Sequence, residues 1–437
     1  MNCPNCGIDH WKDVDHLRYK DKDDKGEKIG MAMCTNCGFV SYPSKYKSKA
    51  EIIEHYRKEY RKPPTVLNMY TGQRKNHFHL AFLKELIEKW HREKSSPAIL
   101  DIGTAFGMSL NMFQQVLPDA KLYGTELTTS YKNVCKHEFG IDLTDDFDES
   151  IKYDLIMSYK VLEHQLDPHI ELQRVRKALK PDGHFYISVP TWFDSLVNFG
   201  LEGFDLNYYY EPDHINVWTR NIFENLLKRS GFEIVKMDPY MYGFSYLCKP
   251  VAVAEATEIF KEDCSEIEKK MKAAKDAFEC FLDQKYDEAI AIYPDFPAAW
   301  VSAIEMKRKL LTEKGWNWFK EEVLEKALAA CPYSVELMIT YTDFATRAKR
   351  WEEALKMAER SLHLKPQNPG SLHLIGSAYE QAAAFTKDKK EVIALLKKAR
   401  EAYLHYSKVS EQNKHDCISK IYYLSAHIPA EENLSMQ

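Results

Sequence analysis

From residue 97 to residue 250, short apolar runs alternate with helix-like stretches, and this alternation limits the possible folds more than any other feature. The pattern predicts strands at 99–103, 121–126, 153–159, 184–189, 232–237 and 246–253, and helices at 108–116, 130–139, 169–180 and 220–230. Local signals agree: Pro181-Asp182-Gly183 reads as a turn, Thr219 as a helix N-cap and Gly231 as a helix stop. Strands and helices alternating at this length build a parallel sheet covered on both faces, so the expected fold class is α/β and Rossmann-like. Ligands of such sheets lie beyond the carboxyl ends of the strands. Asp101, Glu126 and Tyr159 all fall there.

Four motifs follow one another in this region. Leu100-Asp-Ile-Gly-Thr-Ala-Phe-Gly107 joins the first strand to the first helix, and Tyr153-Asp-Leu-Ile-Met-Ser-Tyr-Lys-Val-Leu-Glu-His164 comes next. Leu179-Lys-Pro-Asp-Gly183 precedes another strand, and Asp213-His214-Ile-Asn-Val-Trp218 leads to Gly231-Phe232. The dinucleotide fingerprint Gly-x-Gly-x-x-Gly is not met, because its positions hold Gly103, Ala105 and Met108. In this order the motifs resemble class I S-adenosylmethionine (SAM)-dependent methyltransferases. The resemblance implies a seven-stranded sheet whose last strand is antiparallel. It also implies a SAM site on Asp101, Gly103, Thr104, Ala105, Gly107, Glu126, Leu127, Asp145 and Tyr159.

Residue chemistry supports parts of that site. Gly103 and Gly107 let backbone approach a ligand with no Cβ in the way. Glu126, 25 positions after Asp101, offers a two-oxygen acceptor to both hydroxyls of a ribose, with helix capping as its plainer role. Asp145 or Asp146 is the candidate for the adenine amino group, and Asp101 acts through the loop's N–H groups or bound water. Ala105 stands where the loop's middle glycine is expected.

Cys3-Pro-Asn-Cys6-Gly7 and Cys34-Thr-Asn-Cys37-Gly38 repeat one knuckle near the N-terminus. Two thiolates three positions apart reach one tetrahedral ion, and the glycine permits the tight turn. Four thiolates leave no open position, so a structural Zn²⁺ on Cys3, Cys6, Cys34 and Cys37 is expected. The remaining six of the ten cysteines show no disulfide-like spacing. With no signal-peptide core and no apolar run of membrane-spanning length, cytoplasmic residence is the default. A net charge of −5, and the lack of a basic, aromatic-interleaved strand, argue against a nucleic-acid partner. A connector helix is expected from Ser44, with Ile52, Ile53 and Tyr56 on one side, ending before Pro63-Pro64. Tyr56, Tyr60 and Tyr70 read as packing between ribbon and next domain. Phe78, Phe82, Leu86 and Trp90 mark an amphipathic helix packed on the sheet.

Methyl transfer from a sulfonium asks the protein mainly to align nucleophile, methyl and leaving sulfur. A protonated acceptor also needs a base, and His214 and His164 are the candidates, with Tyr210 of Tyr210-Glu-Pro-Asp-His214 as a third catalytic candidate. Residues 191–216 carry Trp192, Phe193, Phe199, Phe204, Tyr208, Tyr209 and Tyr210, an aromatic lid over the acceptor. Ribbon, Tyr-rich connector, Val161-Leu-Glu-His164 and the Asp213-His214 pair are similar to sugar C-methyltransferases. A small-molecule or sugar acceptor is therefore expected. The alternatives are a non-catalytic scaffold on a degenerate methyltransferase fold, or a protein or RNA acceptor presented by the C-terminal repeats.

Pro332 and Pro366 are 34 residues apart, the tetratricopeptide period. Ala289, Ala327 and Ser361 each precede a proline by five, and a loop at 312–315 absorbs the longer spacing from Pro294. Trp351-Glu-Glu-Ala354-Leu355, and then Leu372, Ile375-Gly376 and Tyr379, fit the helices of such units. About three helix pairs are expected after a lead-in helix at 254–277, giving a concave face for a protein partner. The expected domains are 1–62, a zinc ribbon with its connector; 63–253, the methyltransferase; and 254–437, the tetratricopeptide-like repeats.

Overall fold

The computed structural model describes residues 2–14, 30–42, 48–58, 79–192, 214–239, 243–252, 258–364, 368–409 and 414–428. Tyr60, Tyr70, Phe78, Pro366, Tyr210, Asp213 and the lid residues 193–213 lie outside them. Contacts divide the chain into two compact units, the second built from Pro294–Gln437.

The first unit is organised by a sheet of ten strands. They are β1 (Trp11–Asp13), β2 (Ala32–Cys34), β3 (Val40–Ser41), β4 (Ala98–Ile102), β5 (Lys121–Thr125), β6 (Tyr153–Tyr159), β7 (Leu179–Trp192), β8 (Asn216–Thr219), β9 (Phe232–Pro239) and β10 (Gly243–Pro250). Their order is β1-β2-β3-β8-β7-β6-β4-β5, with β10 branching from β7 and β9 outside β10. β4 pairs in parallel with β5 and β6, and β6 with β7. The last strand, β10, is antiparallel to both neighbours. The expected seventh strand of the α/β sheet is reduced to one bridge, Thr125 with Thr144. Its segment is crowded with Asp142, Asp145, Asp146 and Asp148, a composition poor in strand formers. The turn expected at Pro181-Asp182-Gly183 is instead a bulge, since the β6–β7 register jumps from Tyr153↔Leu179 to Leu155↔His184.

The pleat sorts the core onto two faces. Ile99, Leu155, Met157 and Tyr186 pack with Phe82, Leu86 and Trp90 of the helix region before β4. Leu100, Ile156, Phe185 and Ile187 pack on the other face with Leu172, Val175, Ile222 and Phe223. Helix Pro168–Ala178 is capped by Asp167, whose Oδ1 accepts from Ile170 N at 3.0 Å. Thr219 caps helix Arg220–Arg229, its Oγ1 accepting from Ile222 N at 3.3 Å, and Gly231 follows with φ +81°.

The ribbon continues this sheet. β3 pairs with β8 through Val40↔Val217 and Ser41↔Asn216, and Ser41 Oγ donates to Ile215 O at 2.6 Å. Arg229 Nη2 ties the first knuckle down, donating to Asn5 O at 2.8 Å and Asn5 Oδ1 at 2.9 Å. The connector helix runs Lys49–Lys58, with Ser48 Oγ accepting from Glu51 N at 3.2 Å. The lead-in helix is Cys264–Leu282, capped by Asp263, and it packs on the second knuckle: Glu262 N donates to Cys37 O at 3.1 Å, and a Cβ on Gly38 would come within 2.7 Å of Ile267.

The second unit is helical. Its longer helices are Pro297–Met306, Val335–Arg347, Trp351–Leu364, Pro369–Phe385, Lys389–Val409 and Lys414–His427, and from Val335 onward each packs against the next. Ser334 and Asn368 cap two of them. Ala327 and Ser361 are fully buried, as is Ala289 in the first unit. Gly376 lies under the Tyr403 ring, where a Cβ would come within 2.9 Å. Residues 309–314 form a helix rather than the expected loop, and Gly315 at φ +83° ends it. No helix among the described residues is long and apolar enough to cross a membrane.

Candidate active site

A cavity of about 230 Å³ opens at the carboxyl ends of β4, β5 and β6. Gly103, Ala105, Glu126, Leu127 and Asp145 of the expected SAM set line it, together with His164 of the catalytic set. Between β4 and helix Met108–Val116 the loop has three residues in the left-handed region: Gly103 at φ +67°, Ala105 at +54° and Gly107 at +81°. Gly103 is forced, because a Cβ there would lie 2.5 Å from Val161 Cγ2. Ala105 bears a side chain in a conformation that costs an L-residue roughly 1–2 kcal/mol. We expect Ala105→Gly to stabilise the protein by about 1 kcal/mol, raising Tm by roughly 2–4 °C in a thermal melt. An unchanged or lower Tm would show that no strain resides there.

The loop spends much of its donor capacity on the protein. Gly103 N donates to Thr125 Oγ1 at 3.1 Å, Thr104 N to Thr125 O at 3.0 Å and Gly107 N to Thr104 O at 3.1 Å. Asp101 is buried and accepts from Ser109 Oγ in the first turn of the following helix. Burial pushes its carboxyl up to about 6, against the lowering effect of the Ser109 and Thr104 hydroxyls, while the Glu126 charge adds to the rise. Thr104 is likewise buried and, like Gly107, does not reach the cavity wall.

Glu126 follows β5 directly. Its Oε1 accepts from Thr128 N at 2.8 Å, so it caps the following turn while facing the cavity. Asp145 is ion-paired with Arg57 and Lys132, and Lys132 foremost holds its carboxyl below the usual range. Asp146 pairs with Arg174 at 2.9 Å. Both adenine candidates therefore hold cations of the chain. Tyr159 is placed elsewhere: its ring packs edge-on to His79 at 5.0 Å, and it is not among the cavity residues. It shares pleat parity with Leu155 and Met157, which face helix Lys84–Glu93.

The connector helix supplies a wall that sequence reasoning missed, through Lys49, Ile52, Ile53, Tyr56 and Arg57. The Ile52, Ile53, Tyr56 stripe was its signal. Tyr56, expected to pack between domains, meets the His164 ring edge-on at 5.5 Å. Past His164 the 3-10 turn Leu162–His164 meets the entry to β8. The His164 and His214 rings are 5.0 Å apart, and Asn216 Nδ2 donates to Gln165 O, joining the two elements. Glu163, His164 and His214 are all buried, with ligating atoms within 4.8 Å of one another. Burial raises the Glu163 carboxyl to about 7, against the lowering effect of the Lys160 ammonium.

Elsewhere in the unit the four knuckle cysteines converge. Cys3 Sγ lies 3.8 Å from Cys37 Sγ, and Cys6 Sγ 3.6 Å from Cys34 Sγ. Zn–S bonds of about 2.3 Å place the sulfurs of one tetrahedron about 3.8 Å apart. The knuckles are near copies, with Gly7 N donating to Cys3 O and Gly38 N to Cys34 O, both at 2.8 Å. The residues fit a zinc ion.

No curated protein matches the sequence. Among solved structures the chain is similar to the mitomycin 7-O-methyltransferase MmcR, with 16% identity and a TM-score of 0.29, covering 36% of this chain and 49% of that one. The chain thus spans about half the length of that structure. It is also similar to the plantazolicin methyltransferase BpumL in complex with SAH (16%, TM-score 0.32, 48% and 92%). DesVI of Streptomyces venezuelae is a third (10%, TM-score 0.32, 47% and 100%). Residues 71–237, which hold the cavity loop, Glu126 and both histidines, match the family model of a methyltransferase domain.

Proposed function

We propose that this chain is a SAM-dependent methyltransferase acting on a small-molecule or sugar acceptor. SAM lies in the cavity between the 103–107 loop and Glu126, and the acceptor enters on the side of His164 and His214. The observation that carries this reading is the convergence of Gly103, Ala105, Glu126, Leu127 and His164 on one cavity at the strand ends. Glu126 holds the ribose, and the apolar side chains of Ile52, Ile53 and Leu127 shelter the transfer from water. Once the acceptor is aligned, displacement at the methyl carbon needs only a route for the acceptor's proton, and His214 provides it. The 191–216 segment is proposed as the acceptor lid, with Tyr210 in it. A structural Zn²⁺ on Cys3, Cys6, Cys34 and Cys37 holds the ribbon. We propose domain limits of 1–62, 63–253 and 254–437, with residues 254–293 a lead-in that packs with the first unit, and assign the stacked helices to binding a protein partner.

A second reading, a scaffold that no longer binds SAM, is favoured by the loop amides already spent on Thr125 and Thr104 and by the paired Asp145. Calorimetry with SAM separates the two: heat and a thermal shift are expected, and the lack of both would leave the scaffold. His214→Ala is expected to keep SAM affinity while turnover falls about 10²–10⁴-fold. Wild-type turnover in that variant would remove His214 from the proton route.

A further inference from the structure

The three-residue cluster beside the cavity contains more than a proton acceptor requires. Glu163 is fully buried, yet neither carboxylate oxygen has a hydrogen-bond partner among the described residues. A buried carboxylate without donors is costly, and such groups are found paired or holding a metal. The groups next to it are two imidazoles and, by its charge, the Lys160 ammonium. One carboxylate oxygen and two imidazole nitrogens lie within 4.8 Å of one another. Bonds of about 2.0–2.2 Å to one ion would bring such atoms to about 3.4 Å apart, so modest closure of the side chains completes the set. The backbone that carries them is fixed: Glu163 and His164 share one 3-10 turn, and Asn216 fastens that turn to the strand that His214 enters. His164 also lines the cavity, so an ion held here has a path to a bound acceptor.

We propose that Glu163, His164 and His214 bind a divalent first-row transition metal ion, which takes the acceptor's oxygen as a further ligand. Two imidazoles and one carboxylate select Mn²⁺, Fe²⁺, Co²⁺ or Zn²⁺ over Mg²⁺ or Ca²⁺, which prefer all-oxygen sets. The proposal rests on the methyl-transfer reading and narrows it to an oxygen acceptor. The acceptor hydroxyl binds the cation and releases its proton to solvent. Its oxygen then forms the bond to the methyl carbon as the carbon–sulfur bond breaks, leaving neutral S-adenosylhomocysteine. In this narrower form of the reading His214 is a ligand in place of the proton acceptor given above, and the cation lowers the acceptor's pKa so that its proton leaves without a base. Lys160, which also lines the cavity, brings a positive charge near Glu163 and competes with the ion for that carboxylate.

Mn²⁺ is the probe, because it binds thiolates weakly and leaves a zinc-loaded ribbon alone. Full-length protein with its zinc in place is titrated with Mn²⁺ and followed by electron paramagnetic resonance. The expected result is one Mn²⁺ bound per chain, with nitrogen couplings from two imidazoles in the pulsed spectrum. Glu163→Gln and His214→Ala should each weaken binding at least tenfold. The nitrogen couplings are read on the wild type, so an unstable variant does not remove the test. Lack of binding at millimolar Mn²⁺, bound Mn²⁺ without imidazole couplings, or equal binding by both variants would overturn the proposal. SAM calorimetry reports independently on the Glu126 side, so failure there with Mn²⁺ bound would sink the methyl-transfer reading and leave the metal site standing.

Discussion

Glu126→Ala should weaken SAM binding at least 100-fold by isothermal calorimetry. A carboxylate accepting from both ribose hydroxyls makes two charge-assisted hydrogen bonds, each worth about 1.5–3 kcal/mol. Losing the pair takes away roughly 3–6 kcal/mol, which exceeds a hundredfold in Kd. The side chain also accepts from Thr128 N at 2.8 Å, so the variant gives up a cap and about 1 kcal/mol of stability with it. Glu126→Gln separates the effects. Its amide oxygen can keep the cap while offering the ribose a poorer partner, so Tm should hold and affinity fall part of the way. A Glu126→Ala protein that binds SAM within threefold of wild type would leave Glu126 with capping alone.

Removing zinc should have the larger structural effect. The ribbon's strands are three, three and two residues long, too short to be stable unaided. Besides the cysteines, its described residues bury only a handful of larger apolar side chains, Val14, Met31, Met33, Phe39, Val40 and Tyr42, a small core for a module of this size. Structural zinc binding in comparable small modules is worth about 10–16 kcal/mol at neutral pH. Cys37→Ser, or a strong chelator, should therefore release about one zinc per chain and melt β1 to β3. The loss should spread to β8, because Val40 and Ser41 pair with Val217 and Asn216. Hydrogen exchange should show lost protection at 216–219 as well as in the ribbon, with β4 and β6 unchanged. Full protection at 216–219 after zinc removal would mean that the ribbon is a passenger on the sheet.

Much of the fold was legible because its signals are local. The 3.6 and 2.0 periods gave most helices and strands between 98 and 250, though not β8 at 216–219, Thr219 and Gly231 bracketed a helix, and two glycine knuckles gathered four sulfurs. Small residues at Ala289, Ala327 and Ser361 pointed correctly to tightly packed helices. What was missed depends on partners distant in sequence. Nothing in Val40-Ser41 announces a pairing with β8, and the Ile52, Ile53, Tyr56 stripe marks a packed helix face without saying that it closes a cavity. Tyr159 was misplaced by counting strand ends and ignoring pleat parity, which Leu155 and Met157 already gave. Asp145 was read for its carboxylate alone, without the cations Arg57 and Lys132 that folding brings to it.

The pairing of β3 with β8 also sets an order of events during synthesis. The knuckles leave the ribosome well before β8 and can close on zinc at once, since both Cys-x-x-Cys pairs lie between Cys3 and Cys37. Their outer strand then waits, with backbone groups unsatisfied, until the chain has reached Val217. Such a late, long-range closure is slow and exposes an edge meanwhile. An edge strand of two residues, Val40 and Ser41, gives a stray partner little to grip. The brevity of β3 thus acts as protection for the nascent chain, and lengthening that strand should raise aggregation during expression before it adds any stability to the finished protein.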